Sequence, residues 1–180
     1  IAVGSNLMDQ KWAADLMRLN KSFIIPRSGS SKREIYRSLN LVSEFILNKV
    51  ENENESIWIA QREGRAKDGK DLTDPAILKM IHLVKRKERS ISNFFNQMRV
   101  VPVSISYEFD PNDLNKAKEV YEAEINGYYQ KKENEDLESI SRGISGFKGL
   151  VVLNIGNVMN FKSDSYEDVA EQITNEISNQ

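Results

Sequence analysis

The chain has no cysteine, a single histidine, four prolines and no apolar run approaching the ~20 residues needed to cross a bilayer. Without cysteine there is no disulfide framework, no thiolate nucleophile and no cysteine zinc site, a usage that permits an intracellular setting. One histidine closes off a histidine-rich metal centre, and no metal or bound cofactor is expected. No G-x-S-x-G motif is present, so a hydrolytic triad has no support either. Positive charge is also scarce: the net charge is -2 and the isoelectric point about 5.6. A general nucleic-acid binder needs an excess of cations to neutralise a phosphate backbone, so no nucleic-acid partner is expected and any anion site must be local. The opening IAVGSNLMDQ has no basic region leading into a signal-peptide core. It starts without Met on a strand-like run, and the expectation is that the amino end of a longer polypeptide precedes it.

What is present is a globular composition, 39% hydrophobic and 29% charged, expected to form one domain over residues 1–180. Ile1 to Val3 and Lys21 to Arg27 read as short buried strands, the second closed by Pro26. Between them Trp12, Leu16 and Leu19 fall at helical spacing. Ser31 and Glu34 form a capping box ahead of Ile35, Leu39, Val42 and Ile46, a helix running to the polar stretch Glu51 to Glu55. Ser56 to Ala60 suits a buried strand. Asp74 caps a helix with Pro75 first and a stripe of Ile77, Met80, Ile81 and Val84, and another helix after Ser90 carries Ile91, Phe94, Phe95 and Met98. Arg99 to Glu108 alternates as a strand. Asp110 and Pro111 look like the cap and first turn of a charged helix with Leu114, Ala117, Tyr121, Ile125 and Tyr128 on its apolar side. After a solvated break, Leu137, Ile140 and Ile144 lie on a helical turn ending near Gly146. Phe147 to Ile155 is a strand, and Tyr166, Val169, Ile173 and Ile177 form an amphipathic tail. Strands alternating with helices predict an α/β domain with a mostly parallel central sheet flanked by helices.

The most informative stretch is SIWIAQREGRAKDGKDLTD, residues 56–74. Its strand leads into a loop carrying Arg62, Arg65, Lys67 and Lys70 beside Gly64 and Gly69, chemistry suited to an anion. Gly64, Gly69 and Lys70 match G-x-x-x-x-G-K of a nucleotide P-loop. Asp71, however, stands where a Ser or Thr should hold magnesium, and the helix starts only after Asp74. The alternative is a solvated loop whose cations are balanced by Glu63, Asp68 and Asp71.

The order of segments resembles the glycerophospholipid acyltransferases, which have four sequence blocks. The second is similar to Phe23-Ile24-Ile25-Pro26-Arg27, the third to Ile57–Ala60 followed by Glu63, Gly64 and Arg65, and the fourth to Val100-Val101-Pro102-Val103. IWIAQREGRAKDG resembles the longer basic third block of bacterial members. The resemblance implies an acyltransferase-like fold, truncated at its amino end, that passes an acyl chain to glycerol 3-phosphate or lysophosphatidate. The co-substrate is an acyl thioester, acyl-CoA or acyl-ACP, and the setting cytoplasmic with peripheral contact at the inner membrane face. Arg27 and Arg65, at neighbouring strand ends, would grip the substrate phosphate with paired planar donors. Lys67 would add a point charge, Glu63 would orient these cations, and Gly64 would let the backbone turn beneath the ligand. The family's first block, a His followed five positions later by Asp, supplies the general base, and it is missing. The only histidine, His82, is followed five positions on by Lys87 in an apparent helix and reads as structural. No catalytic residue is therefore assigned, and the chain alone is expected to be inactive. Two other readings are a phosphate-recognising domain without catalysis and a nucleotide-binding protein using Gly64 to Lys70.

Overall fold

Short oxygen-bearing side chains set where the helices start. In the computed structural model, which describes residues 1–4, 11–25, 31–62, 67, 69–132 and 134–180, Ser31 Oγ accepts the Glu34 N–H at 3.3 Å and opens α2, Lys32–Leu47. Asp74 Oδ1 accepts the Ala76 N–H at 2.8 Å ahead of α3, Pro75–His82, with Pro75 where a missing N–H costs nothing. Ser90 caps α4, Ile91–Met98, and Ser165 caps α7, Tyr166–Ser178. The remaining helices are α1, Lys11–Leu19, α5, Asp113–Asn126, and α6, Glu135–Ser145. A π-helical turn over Asn48–Asn52 carries α2 into the polar run that ends it.

The expected start of α5 needs correction. Asp110 Oδ1 accepts the Asn112 N–H at 2.8 Å, forming a turn, and Oδ2 takes Lys116 Nζ at 2.5 Å. With Asp110 so engaged, the cap position passes to Asn112.

The strands also pair differently from the expected mostly parallel sheet. β1, Ala2–Gly4, and β2, Phe23–Ile25, form a parallel pair with Ala2 opposite Phe23. β3, Val103–Tyr107, and β4, Val151–Ile155, form an antiparallel pair with Ile105 opposite Leu153. Ser56–Ala60 is extended beside β1, joined where the Ala2 N–H donates to the Trp58 carbonyl at 2.9 Å, but it belongs to no ladder. The architecture is a mixed α/β arrangement of helices around two short sheets. The Ser56–Ala60 segment is not buried as expected either: Ile57 and Ile59 are half-buried and Trp58 is exposed, because apolar composition carries no instruction about which edge meets which or what covers it.

Two apolar clusters hold these pieces. In one, Leu78 from α3 meets Phe94 and Phe95 from α4, Phe161, and Val169, Ala170 and Ile173 from α7. Phe94 and Phe95 stand edge to face, their centroids 5.1 Å apart. In the other, Val42, Ile46 and Met80 take Phe23, Ile25, Ile57 and Ile59 against them. Ile81 and Met98 pack on both clusters. The α5 stripe was expected to face a core, and here the structure differs. Leu114 is 80%, Tyr121 63%, Ile125 62% and Tyr128 67% exposed, and Glu119 is the buried residue of that helix.

Candidate anion site

The cationic loop is pinched at its base. The Asp74 N–H donates to the Gln61 carbonyl at 2.8 Å, and the Thr73 hydroxyl donates to Gln61 Oε1 at 3.0 Å. On its other side the Thr73 N–H donates to Thr174 Oγ1 of α7 at 2.8 Å. Gln61 is thus joined to Thr73 and Asp74, and Thr73 is fastened to the last helix.

Four of the residues assigned to the phosphate, Arg27, Glu63, Gly64 and Arg65, lie outside the described residues. The strands leading to the two arginines are not direct neighbours, because β1 pairs with β2 on one side and touches Trp58 on the other. Lys67 is described, and its ammonium group is held by Glu119, whose side chain is 9% exposed. The charge expected to assist with phosphate is therefore engaged by a buried carboxylate of α5. Gly69 sits at φ +73°, with no atom within 4 Å of where a side chain would begin. That backbone conformation favours glycine. Gly69 and Lys70 do not open a helix: α3 begins at Pro75. That removes the geometric basis of the P-loop, in which the glycine-lysine step leads directly into the helix.

Beside the loop base is a cleft of about 1240 Å³. One wall is the 54–62 segment and the other is 97–103, with the floor supplied by α3 and α7. Ile57, Ile59, Ile81, Phe95, Met98 and Val101 make it apolar, and Arg62 and Arg99 add cations. Two of its carboxylates are already engaged, Glu51 with Arg89 and Glu55 with Lys49 at 3.5 Å. Arg62 and Arg99 have no ion pair among the described residues. Against them stands Asp71, so the unpaired charge of the lining is positive. Comparison with protein-family models, curated proteins and solved structures gives no match. The site must be judged on its own chemistry.

Arg99 is the member that sequence reading missed. It ends α4 in the left-handed region at φ 53°, ψ 57°, a conformation that costs a non-glycine residue about 1 kcal/mol or more. No pattern in the sequence announces it, since helix ends of this kind usually carry Gly or Asn. Arg62 was visible as a loop cation but had no reason to be placed in a cleft.

His82 lies inside the core. It is 1% exposed, and its Nε2 lies 3.1 Å from the Arg89 carbonyl and Nδ1 2.9 Å from the Tyr166 hydroxyl. A carbonyl only accepts, so Nε2 carries the proton and Nδ1 accepts from Tyr166. Burial, only partly offset by the Arg89 carbonyl, pushes its pKa below the usual histidine value. Both nitrogens are engaged inside the core, which leaves no lone pair for a substrate hydroxyl. Among the described residues no helix is long and apolar enough to cross a membrane.

Proposed function

We propose that the chain is the acceptor-binding part of a glycerophospholipid acyltransferase, the activity in which an acyl group passes from acyl-CoA or acyl-ACP to glycerol 3-phosphate or lysophosphatidate. One observation carries this reading: two guanidinium groups with no ion pair among the described residues, Arg62 and Arg99, line an apolar cleft. Its walls contain the segments that resemble the third and fourth blocks of that family. A ligand satisfying both features is an amphiphile with an anionic head and an aliphatic tail, which describes lysophosphatidate. The guanidinium groups would meet the phosphate and the isoleucine and phenylalanine walls the chain.

Trp58 lines the same cleft, so its fluorescence is the readout. Lysophosphatidate is expected to give a saturable change, lysophosphatidylcholine a weaker one. In Arg62→Gln/Arg99→Gln the affinity for lysophosphatidate should fall by at least about tenfold. Equal binding of both lipids, or undiminished binding by the double variant, rejects the reading. A second reading, an anion-binding domain without turnover, is favoured by the burial of the only histidine. Because the chain alone is expected to be inactive, labelled acyl thioester and glycerol 3-phosphate given to the full-length protein separate the two: labelled lysophosphatidate signals transfer, whereas lipid binding with no product supports the non-catalytic domain.

A further inference from the structure

The β3–β4 sheet meets the end of α7 through the Ser104–Asn154 end of its more polar face. The Gly156 N–H donates to the Pro102 carbonyl and the Glu108 N–H to the Leu150 carbonyl, each at 2.9 Å. In that register the even-numbered residues of β3 make the backbone bonds. Val103–Ile155, Ile105–Leu153 and Tyr107–Val151 are then the closer non-bonded pairs, and all six side chains share one face. The other face carries Ser104 and Asn154, which are half-buried, and Ser106 and Val152, which are exposed. Asn154 Nδ2 donates to the carbonyl of Gln180, just beyond α7, at 3.0 Å. The apolar face is left in solvent: Ile105 is 46%, Tyr107 45%, Val151 48%, Leu153 52% and Ile155 70% exposed. An antiparallel sheet in a self-sufficient monomer does the reverse, packing its apolar side and wetting its polar one.

We propose that this face is the contact between two copies of the chain, packed sheet on sheet about a two-fold axis. Five side chains present roughly 500 Å² of apolar surface, most of the ~800 Å² that each partner gives to a standard interface. The face bears no charged side chain, so it meets its own image without repulsion, as a two-fold contact requires. A membrane fits less well. Between β3 and β4, α5 sets four carboxylates against two lysines and α6 three carboxylates against one arginine, the wrong sign for anionic headgroups.

Sedimentation equilibrium of the chain at about 50 µM should give twice the monomer mass. Leu153→Lys, and separately Ile155→Lys at the most exposed position of the face, should raise the dissociation constant at least about tenfold with an unchanged circular dichroism spectrum, because each buries an unpaired charge. Ser106→Lys, on the opposite face, should leave it a dimer. A monomeric wild-type chain, or a dimer that persists in both lysine variants, overturns the proposal. So does sedimentation with phosphatidylglycerol vesicles that the same variants abolish.

Discussion

The Nδ1 of His82 and the hydroxyl of Tyr166 meet at 2.9 Å, joining the end of α3 to the start of α7 across the main aromatic cluster. Burial keeps this imidazole neutral, with a pKa below the ordinary 6.5. Below pH 6.5 the unfolded chain binds a proton that the folded chain refuses, so stability rises with pH through that window and is lost as pH falls. His82→Phe should lower stability at pH 7 by about 2 kcal/mol, since Tyr166 and the Arg89 carbonyl lose their partner. It should also flatten the stability profile between pH 7 and the folded pKa. Urea unfolding at several pH values reads both effects.

The ion pair between Lys67 and the buried Glu119 predicts an asymmetric mutant cycle. Lys67→Met leaves a carboxylate buried without a partner and should cost about 1–2 kcal/mol, whereas Lys67→Met/Glu119→Leu should recover most of that loss. Equal destabilisation by the single and double variants in chemical denaturation would count against the pair as the fastening of loop to helix.

Gly149 lies at φ +61°, and a side-chain carbon there would come within 2.9 Å of Phe109 Cδ2 and press on the Glu108 carboxylate. That carboxylate accepts the Leu150 N–H at 2.8 Å, just before β4. Gly149→Ala should therefore cost about 1–3 kcal/mol, from the backbone and from the displaced Glu108. Gly127→Ala, at φ +75° with open space around it, should cost less. Thermal melts of the two variants make the comparison.

Tyr129 donates its hydroxyl to Glu135 Oε2 at 2.9 Å, and this bond to a carboxylate pushes its pKa up to about 12. With the folded value above the unfolded 10.0, the contribution is present below pH 10 and disappears as pH rises toward 12. An ultraviolet titration should show Tyr129 ionising late, as should Tyr166, whose pKa burial also raises, and Glu135→Gln should bring Tyr129 alone back toward the others.

The helices were legible because their signals are local. Ser31, Asp74 and Ser90 each accept the N–H that their position in the sequence calls for, and a cap needs only its own next three residues. The sheets were not legible to the same degree. Ser56–Ala60 has the composition of a central strand, yet its ladder depends on an edge brought from elsewhere. The α5 stripe has the spacing of a core face, but periodicity records only that one side is apolar, not what covers it. The loop cations were visible as letters. The engagement of Lys67 by Glu119, and the presence of Arg62 and Arg99 in one cleft, depend on contacts between distant parts of the chain that spacing cannot encode.

The hydrogen bond from the Thr73 N–H to Thr174 makes the carboxyl-terminal helix a hinge pin for the basic segment. A protease nick in the last turns of that helix, far from the anion chemistry in sequence, would unfasten Thr73 from its support.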